Sequence, residues 1–191
     1  MKKLSDLSLY YLHQQDIRTG DHLGFSGSGI VPYLIKKFSY SRNPLKWRIP
    51  DGTINHSAMA IRLRYPGLEK RRYTTEALSK GIEFHMLSRR LERYKGKVYW
   101  YPLKDEYDDR RNMIACKLLD NIDVPYDYQS LFKQAVASVN SDMKLLFCSE
   151  AVNYAYQYAG IKTGFPVENW VAPTPLQIDK MDIFKDKVRI L

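Results

Sequence analysis

A chain of 191 residues suffices for one domain with a well-buried core, since a chain of this size hides roughly 70% of its unfolded surface; residues 1–191 are expected to form a single domain. Fifteen Tyr, nine Pro and an apolar share of 45% exclude a disordered or coiled-coil chain. The net charge of +9 is uneven: residues 1–100 carry nineteen Lys or Arg against eight acids, and residues 101–191 carry eleven against thirteen.

In chain order, Met1-Lys2-Lys3-Leu4 has the basic start of an export signal, but Ser5, Asp6 and Ser8 interrupt any apolar segment and no small-residue cleavage site follows. No later run reaches the roughly 18 apolar residues of a membrane span. The expectation is a cytoplasmic protein with Cys116 and Cys148 both reduced. Leu4 to Gln15 reads as a short amphipathic helix, and Gly20-Asp21 turns the chain into a strand beginning at His22. Gly24 to Gly29 reads as a glycine-rich loop ahead of a helix from Ile30 to Phe38. It lacks the Lys and hydroxyl order of a phosphate-binding loop.

Ser39 to Gly52, with Pro44, Pro50 and a basic set around Trp47, reads as a loop over a site. Four strands are then expected: His56 to Tyr65, Arg71 to Leu78, Ile82 to Met86 and, after a helix from Leu87 to Tyr94, Lys97 to Leu103. Their closeness in sequence suggests one antiparallel meander. Helices follow over Asp105 to Asn121, with Met113, Ile114, Leu118 and Cys116 or Lys117 near the core edge, and over Gln129 to Val139. The next helix, Leu145 to Tyr158, ends at Gly160. In it Cys148, Val152, Ala155 and Ala159 recur at steps of three and four, as a buried face requires. A Pro-rich loop and a terminal strand, Lys187 to Leu191, complete the chain.

Thiol chemistry needs a thiolate, an imidazole to carry a proton, and a polar group to hold the ring. Cys148 near a helix start, His56 opening one strand and Glu76 on the next supply the three types. Each also has a plain alternative: Cys148 as a packed thiol, His56 as a strand-edge residue, Glu76 paired with Arg71 or Arg72. His22 beside Asp21 is a second possible partner for Cys148, while Cys116 is assigned to packing. Two cysteines 32 positions apart and scattered histidines give no metal-ligand spacing, and no organic cofactor is implied.

Several segments together resemble a known family: Gly20-Asp21-His22-Leu23 with Gly27-Ser28-Gly29-Ile30, Asn55-His56-Ser57-Ala58-Met59-Ala60, Thr75-Glu76-Ala77, Tyr126-Asp127-Tyr128, and Phe147-Cys148-Ser149-Glu150-Ala151-Val152. They resemble the permuted papain-like amidases of the NlpC/P60 superfamily, in particular its YiiX-like group, in which the histidine strand precedes the cysteine helix.

That resemblance implies an α+β papain-like fold with a central antiparallel sheet of five or six strands. It also implies Cys148 as nucleophile, His56 as base and acid, and Glu76 as the group that orients His56. The N–H of Cys148, with Tyr126 or His22, is expected to hold the oxyanion. The expected function is cysteine-dependent hydrolysis of a peptide or isopeptide-like amide through a thioester. The alternatives are a thiol acyltransferase or phospholipase of the same fold, for which the basic first half suits an anionic lipid surface, and a basic binding module without catalysis. No nucleic-acid motif is present.

Overall fold

Alternating side chains and turn residues produce most of the strands where the sequence places them. The computed structural model of the protein describes residues 4–28, 51–78, 81–122, 143–165 and 173–191. The expected helices Ile30 to Phe38 and Gln129 to Val139, most of the loop before Gly52, and Tyr126 lie outside the described residues. A 3-10 turn (Leu4–Leu7) runs into α1 (Ser8–His13). Five strands follow: β1 (His22–Ser26), β2 (His56–Ile61), β3 (Tyr73–Leu78), β4 (Gly81–Met86) and, after α2 (Leu87–Arg93), β5 (Lys97–Tyr101). Then come α3 (Arg111–Leu119), α4 (Met143–Tyr158), α5 (Pro175–Asp179) and β6 (Val188–Arg189).

The six strands form one antiparallel sheet in the order β4-β3-β2-β1-β5-β6. The expected four-strand meander holds only for β2, β3 and β4. Between β4 and β5 the chain passes through α2, and β5 pairs with β1, His22 opposite Tyr101. β1 thus lies at the centre of the sheet, between β2 and β5. Gly24 belongs to β1 rather than to a loop, paired with Ser57 and Tyr99, and a Cβ there would meet Ile54 at 2.7 Å and Tyr101 at 2.8 Å. Only glycine lets these side chains close over the strand.

Both faces of the sheet are covered, which is why β2 is buried along nearly its whole length. Ala58 and Ala60 belong to a core with Leu23, Phe25, Tyr10, Leu87 and Leu91; Met59 and Ile61 belong to another with Ile114, Val152, Ala155 and Tyr156. Arg72, wholly buried, donates to the carbonyls of Ile17 (2.5 Å), Gln15 (2.9 Å) and Glu69 (2.9 Å), fastening the segment after α1 to the start of β3.

The helix expected over Asp105 to Asn121 divides. Asp105–Arg110 is a 3-10 turn, and α3 buries Arg111, Ile114 and Leu118 while Met113 is exposed. Cys116 is exposed, not packed: Ile114 and Leu118 occupy the inward side, and a residue midway between them faces away. Among the described residues, no helix is long and apolar enough to cross a membrane.

Candidate active site

Helix α4 forms because its small and apolar residues line one side. Cys148, Val152, Ala155 and Ala159 are all buried, and the helix ends at Gly160 with φ of 76°. Cys148 is the sixth residue of α4. The sequence pattern starts the helix at Leu145; the structure starts it at Met143.

The sulfur lies where α4 meets the start of β2. The His56 ring is hydrogen-bonded to it, and the N–H groups of Ser57 and Ser149 point at it. Burial works against a thiolate here. The positive charge of His56, the ring hydrogen bond and the two N–H groups outweigh burial and hold the Cys148 thiol below its usual value.

Antiparallel pairing brings the third group. Ala58 stands opposite Glu76 across β2 and β3, so His56, two residues before Ala58, shares a sheet face with Glu76. The His56 Nε2 and Glu76 Oε2 are 3.0 Å apart, with the Glu76 side chain fully buried and that of His56 18% exposed. With Nε2 turned to the carboxylate, Nδ1 is the nitrogen left for Cys148. Burial opposes an imidazolium, but the adjacent sulfur charge, its hydrogen bond and Glu76 raise His56 to about 10. Burial likewise opposes ionised Glu76, and hydrogen bonds from His56 and Arg90 hold it below the usual carboxylate range. The three groups therefore favour thiolate, imidazolium and carboxylate together.

Glu76 pairs with Arg90, not with Arg71 or Arg72. Arg90 Nε meets Oε1 at 2.8 Å and Nη2 meets Oε2 at 3.0 Å. Sequence reasoning missed Arg90, which stands in a run of charged residues on α2. A signal existed: Leu87 and Leu91 define the buried side of α2, and position 90 lies next to it.

The second possible pair does not form. Asp21 accepts from Arg18 N (2.8 Å), Trp100 Nε1 (2.8 Å), Leu103 N (3.0 Å) and Arg111 Nη1 (2.7 Å), which uses its carboxylate in holding β1, β5 and α3 together. His22 is fully buried, 4.7 Å from the Tyr101 ring centre and 5.6 Å from that of Phe184, and neither ring nitrogen has a hydrogen-bond partner among the described residues. Burial, then the charge of His56, lowers His22 to about 3, so it is a neutral, packed ring. Tyr126 lies outside the described residues.

Helices on both sides of a six-stranded antiparallel sheet, with the cysteine helix packed against β2 and β3, define an α+β fold. The particular likeness is to the crystal structure of the metalloprotein yiiX from Escherichia coli O157:H7: TM-score 0.58 and 17% identity, covering 90% of this chain and 96% of that one. At that identity the likeness shows the fold alone. No family model matches the sequence, and no curated protein matches it. The E. coli protein is described as a metalloprotein; among the described residues here, no group of three or more His, Cys, Asp or Glu side chains is placed to hold a metal ion.

Proposed function

We propose that this protein is a cysteine-dependent hydrolase that cleaves an amide bond through a thioester. The observation that carries the reading is the continuous contact from Cys148 through the His56 ring to Glu76. Sγ of Cys148 adds to the carbonyl carbon, and the carbonyl oxygen takes the negative charge. His56 Nδ1–H gives its proton to the leaving nitrogen as the C–N bond breaks, leaving a thioester and a neutral imidazole. Water then adds to the thioester, losing a proton to Nδ1, and expulsion of the thiolate restores the starting ion pair. Glu76 fixes the ring and balances its charge throughout.

The test is trapping. A peptide library with activated amides or esters should load an acyl group onto Cys148, seen as a mass increase on the peptide containing residue 148, and Cys148→Ala should not load. Absence of loading across peptide and lipid donors, with Cys148 alkylating no faster than a free thiol, rejects the reading.

The basic surplus of residues 1–100 favours one second reading, a lipid ester as the acyl donor at an anionic surface. Arg62 and Arg64, which have no ion pair among the described residues, flank a cavity of about 220 Å³ with Arg18 and Asn112. Release of fatty acid from phosphatidylglycerol vesicles without cleavage of peptide amides would select that donor.

A further inference from the structure

Arg89 and Arg90 are adjacent in sequence and differ in setting. Arg89 is 63% exposed and pairs with Glu92 at 3.0 Å across one helical turn, the ordinary solvated pair of a helix surface. Arg90 is 22% exposed and makes a two-pronged contact with both oxygens of a carboxylate that has no exposure. Its guanidinium carbon lies 5.0 Å from the Phe25 ring centre and 5.2 Å from that of Tyr94. Those two rings meet edge to face at 5.0 Å, and Phe25 is 5.6 Å from the His56 ring. The planar fork is thus held by aromatic contacts while its N–H groups point at Glu76, an arrangement a lysine does not reproduce.

Glu76 Oε2 receives both His56 Nε2 and Arg90 Nη2. Without Arg90 a buried carboxylate would keep one partner, and burial favours its neutral form. A neutral Glu76 no longer supports an imidazolium, and a neutral His56 no longer supports the thiolate. With Arg90 present, Cys148, His56, Glu76 and Arg90 alternate in charge and sum to zero, a balance a buried cluster can sustain.

We propose that Arg90 is a positioning residue of this site: through its fork on Glu76 it keeps that carboxylate ionised and aimed at His56, and so holds Cys148 as a thiolate. The inference rests on the hydrolase reading and extends it to a residue on a different element. Arg90 itself does not touch the reacting sulfur.

The experiment is the pH dependence of iodoacetamide alkylation in the full chain, read at Cys148 by peptide mass spectrometry so that exposed Cys116 does not contribute. Arg90→Met should move the midpoint upward by about one unit, slowing reaction about tenfold at pH values below the wild-type midpoint. Arg90→Lys, which keeps the charge and loses the fork, should recover part of that shift. If Arg90→Met does not fold, Arg90→Gln and Arg90→Lys carry the test. A wild-type midpoint, or a lower one, in the folded variants overturns the proposal, because loss of a packing contact alone would change the melting temperature and leave the midpoint in place. His56→Ala is the control for the underlying reading. If it leaves alkylation unchanged, the hydrolase reading fails; if it abolishes the fast reaction while the Arg90 variants keep the wild-type profile, only the role of Arg90 fails.

Discussion

Asp21 and Glu76 are both fully buried carboxylates held by arginines, and they perform different work. Asp21 spends its oxygens on two backbone N–H groups, an indole and Arg111, so the pair ties three elements together. Glu76 takes one donor from Arg90 on each oxygen and shares Oε2 with a histidine whose other side faces a thiol. A buried arginine clamp is therefore no mark of a site by itself. What distinguishes the second is a titratable partner that can change charge during a reaction.

The sharpest way to break the comparison is to remove the thiol or the imidazole. Cys148→Ala or His56→Ala should lower turnover of any cleaved substrate by about a thousandfold or more, measured per folded molecule. Asp21→Leu should do the converse. It leaves the buried Trp100 Nε1 and Leu103 N–H without their acceptor and Arg111 with Asp108 as its remaining carboxylate, so urea unfolding should show a loss of about 3 kcal/mol, while alkylation of Cys148 per folded molecule is retained. Glu76→Gln should fall between these, with alkylation at pH 7 slowed by roughly ten- to a hundredfold and its acid limb moved up.

The smallest expected effect separates two histidines by pH. His56, raised to about 10, contributes stability that is complete below its unfolded value of 6.5 and is lost as pH rises through 10. His22 is the reverse: lowered to about 3, it stays neutral while the unfolded chain takes up a proton, so stability falls as pH drops below 6.5. At pH 5 this amounts to about 2 kcal/mol. Comparing denaturant unfolding of wild type and His22→Leu at pH 7 and pH 5 checks it. An equal pH dependence in both proteins would remove His22 from that account.

Local signals made much of this architecture legible. Alternation placed β2, β3 and β4 within a few residues, and spacing at three and four exposed the buried face of α4. The pairing of β5 with β1 was not legible, because it depends on where α2 carries the chain, and no local pattern encodes that. Gly24 looked like a loop residue because the reason for it lies in Ile54 and Tyr101, distant in sequence. The Cys148, His56 and Glu76 positions could be named from their segments, but their grouping depends on the register of Ala58 opposite Glu76. Arg90 was hidden for the same reason: an arginine in a charged helix is ordinary until its burial is known.

The buried guanidinium of Arg72 has a consequence for how the molecule opens. Its bonds to the carbonyls of Gln15 and Ile17 join the segment after α1 to the chain entering β3. A chain end usually frays independently and exchanges its amide hydrogens early. With residues 15–17 bonded to Arg72, this segment is expected to open together with β3: the slow-exchanging amides of both should lose protection together, and the segment should resist proteolysis as long as the sheet does.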